Sequence, residues 1–235
     1  MARNANTRYF NARLTKAEII AGWCYLPFYL ILLSVLLQHL FRALQIPLDS
    51  IVLNIAYFSV NLAAVLLIFH RFLRQRFFGE SFWEFLQACI LGFVFYQAGT
   101  WAVQFAVTKL GGTLEIYNND TVEGMVLQNR YVMLAISVVL APVIEETLLR
   151  GLVFGSIRAA SRPMAYITSI FIFTMMHNWQ YFGLYPFGSM LLSCLAYVPA
   201  SAALCWTYEK AGTIWAPITI HAIINAISFG IVVLP

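Results

Sequence analysis

Two adjacent carboxylates and a guanidinium, Glu145, Glu146 and Arg150, stand in the stretch Ala141-Pro-Val-Ile-Glu-Glu-Thr-Leu-Leu-Arg-Gly, which is otherwise apolar enough to lie in a bilayer. A charged side chain at membrane depth costs roughly 2.5–3.5 kcal/mol on insertion scales, so the three must be paired, hydrated by a cavity, or both. Glu146 and Arg150 are four apart, on one helical face and in the Glu-before-Arg order that suits the helix dipole. They can neutralise each other. Glu145 is turned by about 100° from Glu146 on a 3.6-residue helix and must face a different neighbour. Downstream, Phe173-Thr-Met-Met-His177 and His221-Ala-Ile-Ile-Asn225 place two histidines in apolar helices. Phe173 lies one turn before His177 on its face, and Asn225 one turn after His221.

A carboxylate without a dedicated partner, two imidazoles and an amide are the parts of a proton-transfer site. A glutamate beside a histidine can take a proton from water. A histidine and an asparagine stacked on one helix face supply two donors for a developing oxyanion. Plainer roles stay open. Either histidine, or Asn225, can simply hydrogen-bond between helices, Glu146 with Arg150 can be a buried ion pair, and intramembrane Glu and His also form the proton relays of transporters. No GxSxG or HExxH motif is present, which speaks against a serine nucleophile elbow and a zincin. Two histidines and a glutamate could hold zinc in principle, but the reading expects neither metal nor cofactor. Cys24, Cys89, Cys194 and Cys205 form no CxxC pair and are expected to be ordinary thiols.

The elements that must position these residues are membrane helices. The chain is 61% hydrophobic and 10% charged, with a mean hydropathy of +0.78. That composition points to an all-α polytopic integral membrane bundle, with about seven transmembrane helices and a polar intramembrane cavity. A formal charge of +4 without aromatic-interleaved basic runs excludes a nucleic-acid surface. Apolar runs predict spans at Ile19–Phe41, Ile51–Phe69, Phe85–Val107, Tyr131–Phe154, Met164–Phe182, Phe187–Thr207 and Thr213–Leu234. The first run is too long for a signal-peptide core and is expected to be a retained span.

Arg3, Arg8, Arg13 and Lys16, the Arg71–Arg76 loop, Arg158, Arg162 and Lys210 then share one side. The positive-inside rule puts the N-terminus in the cytoplasm and the C-terminus outside. Thr108–Arg130 is the longest loop, and Arg71–Glu84 is expected to lie partly in the inner interface. The expected organisation is a cytoplasmic tail (1–18), three N-terminal helices with their loops (19–130) and a helical core carrying the motifs (131–235). The site residues are expected to converge on one hydrated pocket opening to the cytoplasmic leaflet.

The three ordered motifs, Glu145-Glu-x-x-x-Arg150, Phe173-x-x-x-His177 and His221-x-x-x-Asn225, resemble those of the CAAX-processing endopeptidase and bacteriocin-processing (CPBP or ABI) family of glutamate-type intramembrane proteases. The resemblance covers roughly Tyr131–Pro235 and includes Ala141-Pro142, Arg150-Gly151 and Ile214-Trp-Ala-Pro217. Leu149 departs from it, since phenylalanine is common there in the family. The resemblance implies a helical bundle with a conical, water-accessible cavity and peptide-bond hydrolysis near the membrane surface. It casts Glu145 as the base that activates water and His177 as the residue that polarises that water and shuttles its proton. His221 and Asn225 would stabilise the oxyanion, while Glu146, Arg150 and Phe173 support the site. It further implies a membrane-associated, in some members lipidated, protein or peptide substrate, and a bacterial inner membrane as the setting. Some members act instead as non-catalytic scaffolds or immunity proteins.

Overall fold

The computed structural model describes residues 12–233. Arg3 and Arg8 of the expected basic tail, and Leu234 at the end of the last expected span, lie outside the described residues. The described residues form eight helices: α1 (Lys16–Ala43), α2 (Ser50–Ile68), α3 (Phe82–Lys109), α4 (Tyr117–Gln128), α5 (Arg130–Arg158), α6 (Arg162–Asn178), α7 (Phe187–Ala211) and α8 (Trp215–Val233). All seven apolar runs are helical. Five of them, α1, α2, α3, α5 and α7, are long and apolar enough to cross a bilayer. Helix α6 has 17 residues, and α8 offers a shorter apolar stretch, Trp215–Ser228. The protein is an all-α integral membrane bundle.

Local chemistry sets the helix ends. Thr15 and Glu18 form a reciprocal capping box at the start of α1. The Glu18 Oε1 also accepts the Phe72 backbone N–H at 2.7 Å, which ties the turn after α2 to the first turn of α1. Asp49, Ser81, Asn129 and Ser161 cap α2, α3, α5 and α6 with their side-chain oxygens. At the other end of the scale of curvature, α1 and α5 each contain a proline and a wide π-type stretch. In α1 the widening follows Pro27 (Phe28–Leu32), and the Tyr29 carbonyl inside it accepts the Tyr57 hydroxyl at 2.7 Å.

Helix α4 was not expected. It falls inside the stretch that hydropathy assigns to the longest loop, because its segment is too polar to span. It buries only Tyr117 and Val126, and Val126 packs against Met133 and Ile136 of α5. In the Arg71–Glu84 stretch, Phe72 is buried, while the Phe77 ring stacks on Trp215 at 5.5 Å.

The longest packed seam joins α3 to α7. It depends on a small residue: a Cβ on Gly92 would lie 2.0 Å from the Thr207 hydroxyl oxygen. Small residues at such seams let membrane helices approach closely and gain dispersion contacts where lipid offers no hydrophobic drive. The main core surrounds α5, with Leu148, Leu149, Leu152, Val153 and Phe154 all buried against α1, α2, α6 and α7.

Candidate active site

Helix α5 carries the carboxylates at its middle, roughly 20 Å from either end at 1.5 Å per residue. They sit on a short regular α segment, Ala141–Glu146, between two wide stretches, Ala135–Leu140 and Thr147–Phe154. In the first of these the Ala141 N–H reaches the Ile136 carbonyl, five residues back. The next N–H in that register would belong to residue 142, which is proline and has none. The Ser137 carbonyl is therefore left without its backbone donor, and the Asn225 Nδ2 of α8 supplies one at 2.7 Å. Pro142 and Asn225 thus belong to one device that docks α8 on α5. Gly151, after Arg150, permits a second close approach, since a Cβ there would lie 2.7 Å from the Phe72 ring.

Glu146, Arg150 and His221 form a buried cluster. The Glu146 Oε1 accepts from Arg150 Nη1 at 3.1 Å and from His221 Nδ1 at 2.8 Å. Arg150 is fully buried and also donates to the Ser201 hydroxyl at 3.0 Å and the Ser201 carbonyl at 3.3 Å. Its guanidinium lies 4.5 Å from the Phe173 ring centroid, a cation–π contact that gives Phe173 its place in the second motif. Glu145 is turned away from this pair, as its position on the helix predicts. Its Oε2 lies 3.9 Å from His221 Nε2, too long for a hydrogen bond, and has no hydrogen-bond partner among the described residues.

His177 stands at the far wall. Its Nδ1–H donates to the Phe173 carbonyl at 2.8 Å, which keeps Nε2 as the acceptor of the neutral ring. The ring is held between Phe173 and Tyr197, each with its centroid 4.6 Å away. Among the described residues, no hydrogen bond or ion pair joins His177 to either glutamate. What unites the four residues is a cavity of about 870 Å³, whose wall includes Glu145, His177, His221 and Asn225.

Four neighbours are not marked by the sequence. Tyr29 and Tyr57, from α1 and α2, line the same cavity, so the N-terminal helices complete its wall. Tyr197, stacked on His177, lines it too. Tyrosine in an apolar span is ordinary, and only the fold reveals that these three face one space. Ser201 sits in a run of small residues with nothing to mark it as a partner for Arg150. The sequence reading also placed the mouth on the face of the basic loops. The cavity instead reaches the opposite face, where exposed Gln38, Ser50, Asn119 and Glu123 line it. The reason is packing: below Glu146 the bundle is filled by Leu148, Leu152, Phe154 and Phe72.

The donor set does not gather as a metal centre would. Among the described residues, no three His, Cys, Asp or Glu side chains converge in a metal-binding arrangement. No curated protein and no solved structure matches the chain. Residues 127–227, which hold all three motifs, do match a protease family described as type II CAAX prenyl endopeptidase, Rce1-like. Over that stretch, somewhat less than half of its length, the chain is similar to the Rce1-like CAAX-processing endopeptidases.

Proposed function

We propose that this protein is an intramembrane endopeptidase that hydrolyses a peptide bond of a membrane-associated protein or peptide, with Glu145 activating the attacking water. The carrying observation is the Glu145 carboxylate: buried at the cavity wall, with one oxygen unpartnered and His221 3.9 Å away. Two carboxylates and one guanidinium leave one negative charge in an apolar interior, where unpaired charge is costly. The free oxygen of Glu145 faces the cavity, where it is able to act as a base toward water.

In the reaction, Glu145 takes a proton from water and the resulting hydroxide adds to the peptide carbonyl carbon. The oxyanion so formed accepts hydrogen bonds from His221 Nε2–H and from the second N–H of Asn225, whose first is held by Ser137. The C–N bond then breaks, and the proton held by Glu145 passes to the departing amine, with His177 Nε2 able to relay it. Glu146, Arg150 and Phe173 fix His221 from behind.

Residues 131–235 form the catalytic core in this reading, residues 19–130 add three membrane helices and α4, which complete the cavity wall, and residues 1–18 lie on the cytoplasmic side. The C-terminus lies outside. The test is cleavage of a peptide library by the purified chain in liposomes, with Glu145→Ala and His177→Ala beside the parent. Loss of cleavage in both is expected, and undiminished cleavage by Glu145→Ala removes the assignment.

A further inference from the structure

Helix α7 carries none of the three motifs, yet one stripe along it meets the residues that the motifs supply. Ser193, Tyr197 and Ser201 are spaced by four and so lie on one helical face. The Ser193 hydroxyl donates to Asn178 Oδ1 at 2.7 Å, one residue beyond His177. The Ser201 hydroxyl accepts from Arg150 Nη2 at 3.0 Å. Between these two, the Tyr197 ring stacks on the His177 imidazole with 4.6 Å between centroids and 26° between planes. The backbone of α7 is pinned at this level, since a Cβ on Gly99 would lie 2.9 Å from the Pro199 Cβ and α3 therefore closes on the turn that carries Tyr197.

The other groups of the site are fixed by hydrogen bonds. Glu146 holds His221, and the Ser137 carbonyl holds Asn225. His177 has only its bond to the Phe173 carbonyl, four residues back in its own helix. That single bond leaves the tilt of the imidazole to its ring neighbours. Phe173, His177 and Tyr197 form a triangle, with 4.6 Å from His177 to each of the others and 6.2 Å between those two, and the ring nearer to parallel with the imidazole is that of Tyr197. Ring pairs in such contact constrain each other's orientation. The Tyr197 hydroxyl is buried and completes no hydrogen bond among the described residues, although Asn118 of α4 stands near it, so the engaged part of Tyr197 is its ring. Of the α7 residues that line the cavity, Ala196, Tyr197, Ala200 and Leu204, it alone is aromatic.

We propose that Tyr197 is a positioning residue: its ring sets the orientation of His177, and with it the direction in which Nε2 meets the reacting groups. The part of His177 in turnover rests on the peptidase reading, but the hold of Tyr197 on the imidazole does not. A relay displaced by about 1 Å loses rate rather than affinity.

The experiment compares the parent with Tyr197→Leu, which keeps apolar bulk without a ring, and with Tyr197→Phe, which keeps the ring. Each protein in detergent is treated with diethyl pyrocarbonate, and the modification rate of each histidine is read by mass spectrometry, beside kcat and KM for a cleaved peptide. In Tyr197→Leu, His177 is expected to react about tenfold faster once the stack is lost, while buried His221 and exposed His39 and His70 keep their parent rates. Its kcat should fall by about 10²-fold with KM unchanged, and Tyr197→Phe should restore both readouts. Parent-rate modification of His177 in Tyr197→Leu overturns the inference. So does a rise shared by His221, which marks general loosening, or a Tyr197→Phe variant as impaired as Tyr197→Leu. If Tyr197→Leu does not fold, Tyr197→Met is read in its place. Modification needs no turnover, so a parent that cleaves nothing sinks the peptidase reading alone, and the histidine rates still decide whether Tyr197 holds His177.

Discussion

Two of the glutamate–arginine pairings among the described residues, one at the basic end and one at mid-bundle, are built differently. At the basic end, Glu209 of α7 is saturated: it accepts from Arg158 Nε at 2.6 Å, from Arg162 at 2.9 and 3.1 Å, and from the Tyr166 hydroxyl at 2.9 Å. That clamp ties the α5–α6 turn to α7, and Arg162 keeps 55% of its side chain exposed to solvent. At mid-bundle, Glu146 and Arg150 have no exposure at all, and among the described residues Glu145 Oε2, Glu146 Oε2 and Arg150 Nε have no hydrogen-bond partner. A saturated carboxylate holds helices together; an unsatisfied buried one costs stability and is retained where chemistry needs it. The contrast separates the mid-bundle pair from Glu209, and of that pair Glu145 is the one that lines the cavity.

The contrast can be broken at several points. The largest effect is expected from Glu146→Gln, which leaves Arg150 buried without its countercharge; loss of one partner of such a pair costs about 3–5 kcal/mol. Thermal unfolding in detergent should show it, together with loss of cleavage as His221 is released. Asn225→Ala removes an oxyanion donor and the partner of the Ser137 carbonyl. Cleavage should fall by roughly 10²-fold, and stability by about 1–3 kcal/mol for the unpaired carbonyl; a parent-like melting curve would contradict the docking role drawn for Asn225. The charge of the cavity sharpens the picture further. Among the described residues Glu123 and Glu145 line it and no lysine or arginine does, so a peptide with an amidated C-terminus should be cut about tenfold faster than its free acid, whose buried carboxylate would meet no lysine or arginine. The smallest effect belongs to Glu209→Gln, where the arginines can turn to water: about 1 kcal/mol or less in unfolding, with cleavage unchanged.

How far this was legible in the sequence varies with the physics involved. The Glu145–Glu146 offset and the Glu146–Arg150 pairing follow from helical angle alone, and the structure has both despite the wide turns around them. Apolar run length located every long helix. Spacing could not show that Asn225 serves Ser137, because that bond exists only through the proline-induced register of α5. Nor could it show that Tyr29, Tyr57 and Tyr197 share one cavity, since each comes from a different helix and no local pattern links them. The mouth was misplaced because depth counted along helices ignores which end the side chains fill.

The central claim is that Glu145 is held in place by the fold but not used by it. The direct measurement is Glu145→Gln, followed in parallel by peptide cleavage in liposomes and by thermal unfolding. The account predicts that cleavage falls by about 10²–10⁴-fold, the range for loss of a general base, while the unfolding midpoint stays at the parent value or rises. Cleavage at the parent rate, or a collapse of stability that accompanies the lost activity, would contradict it.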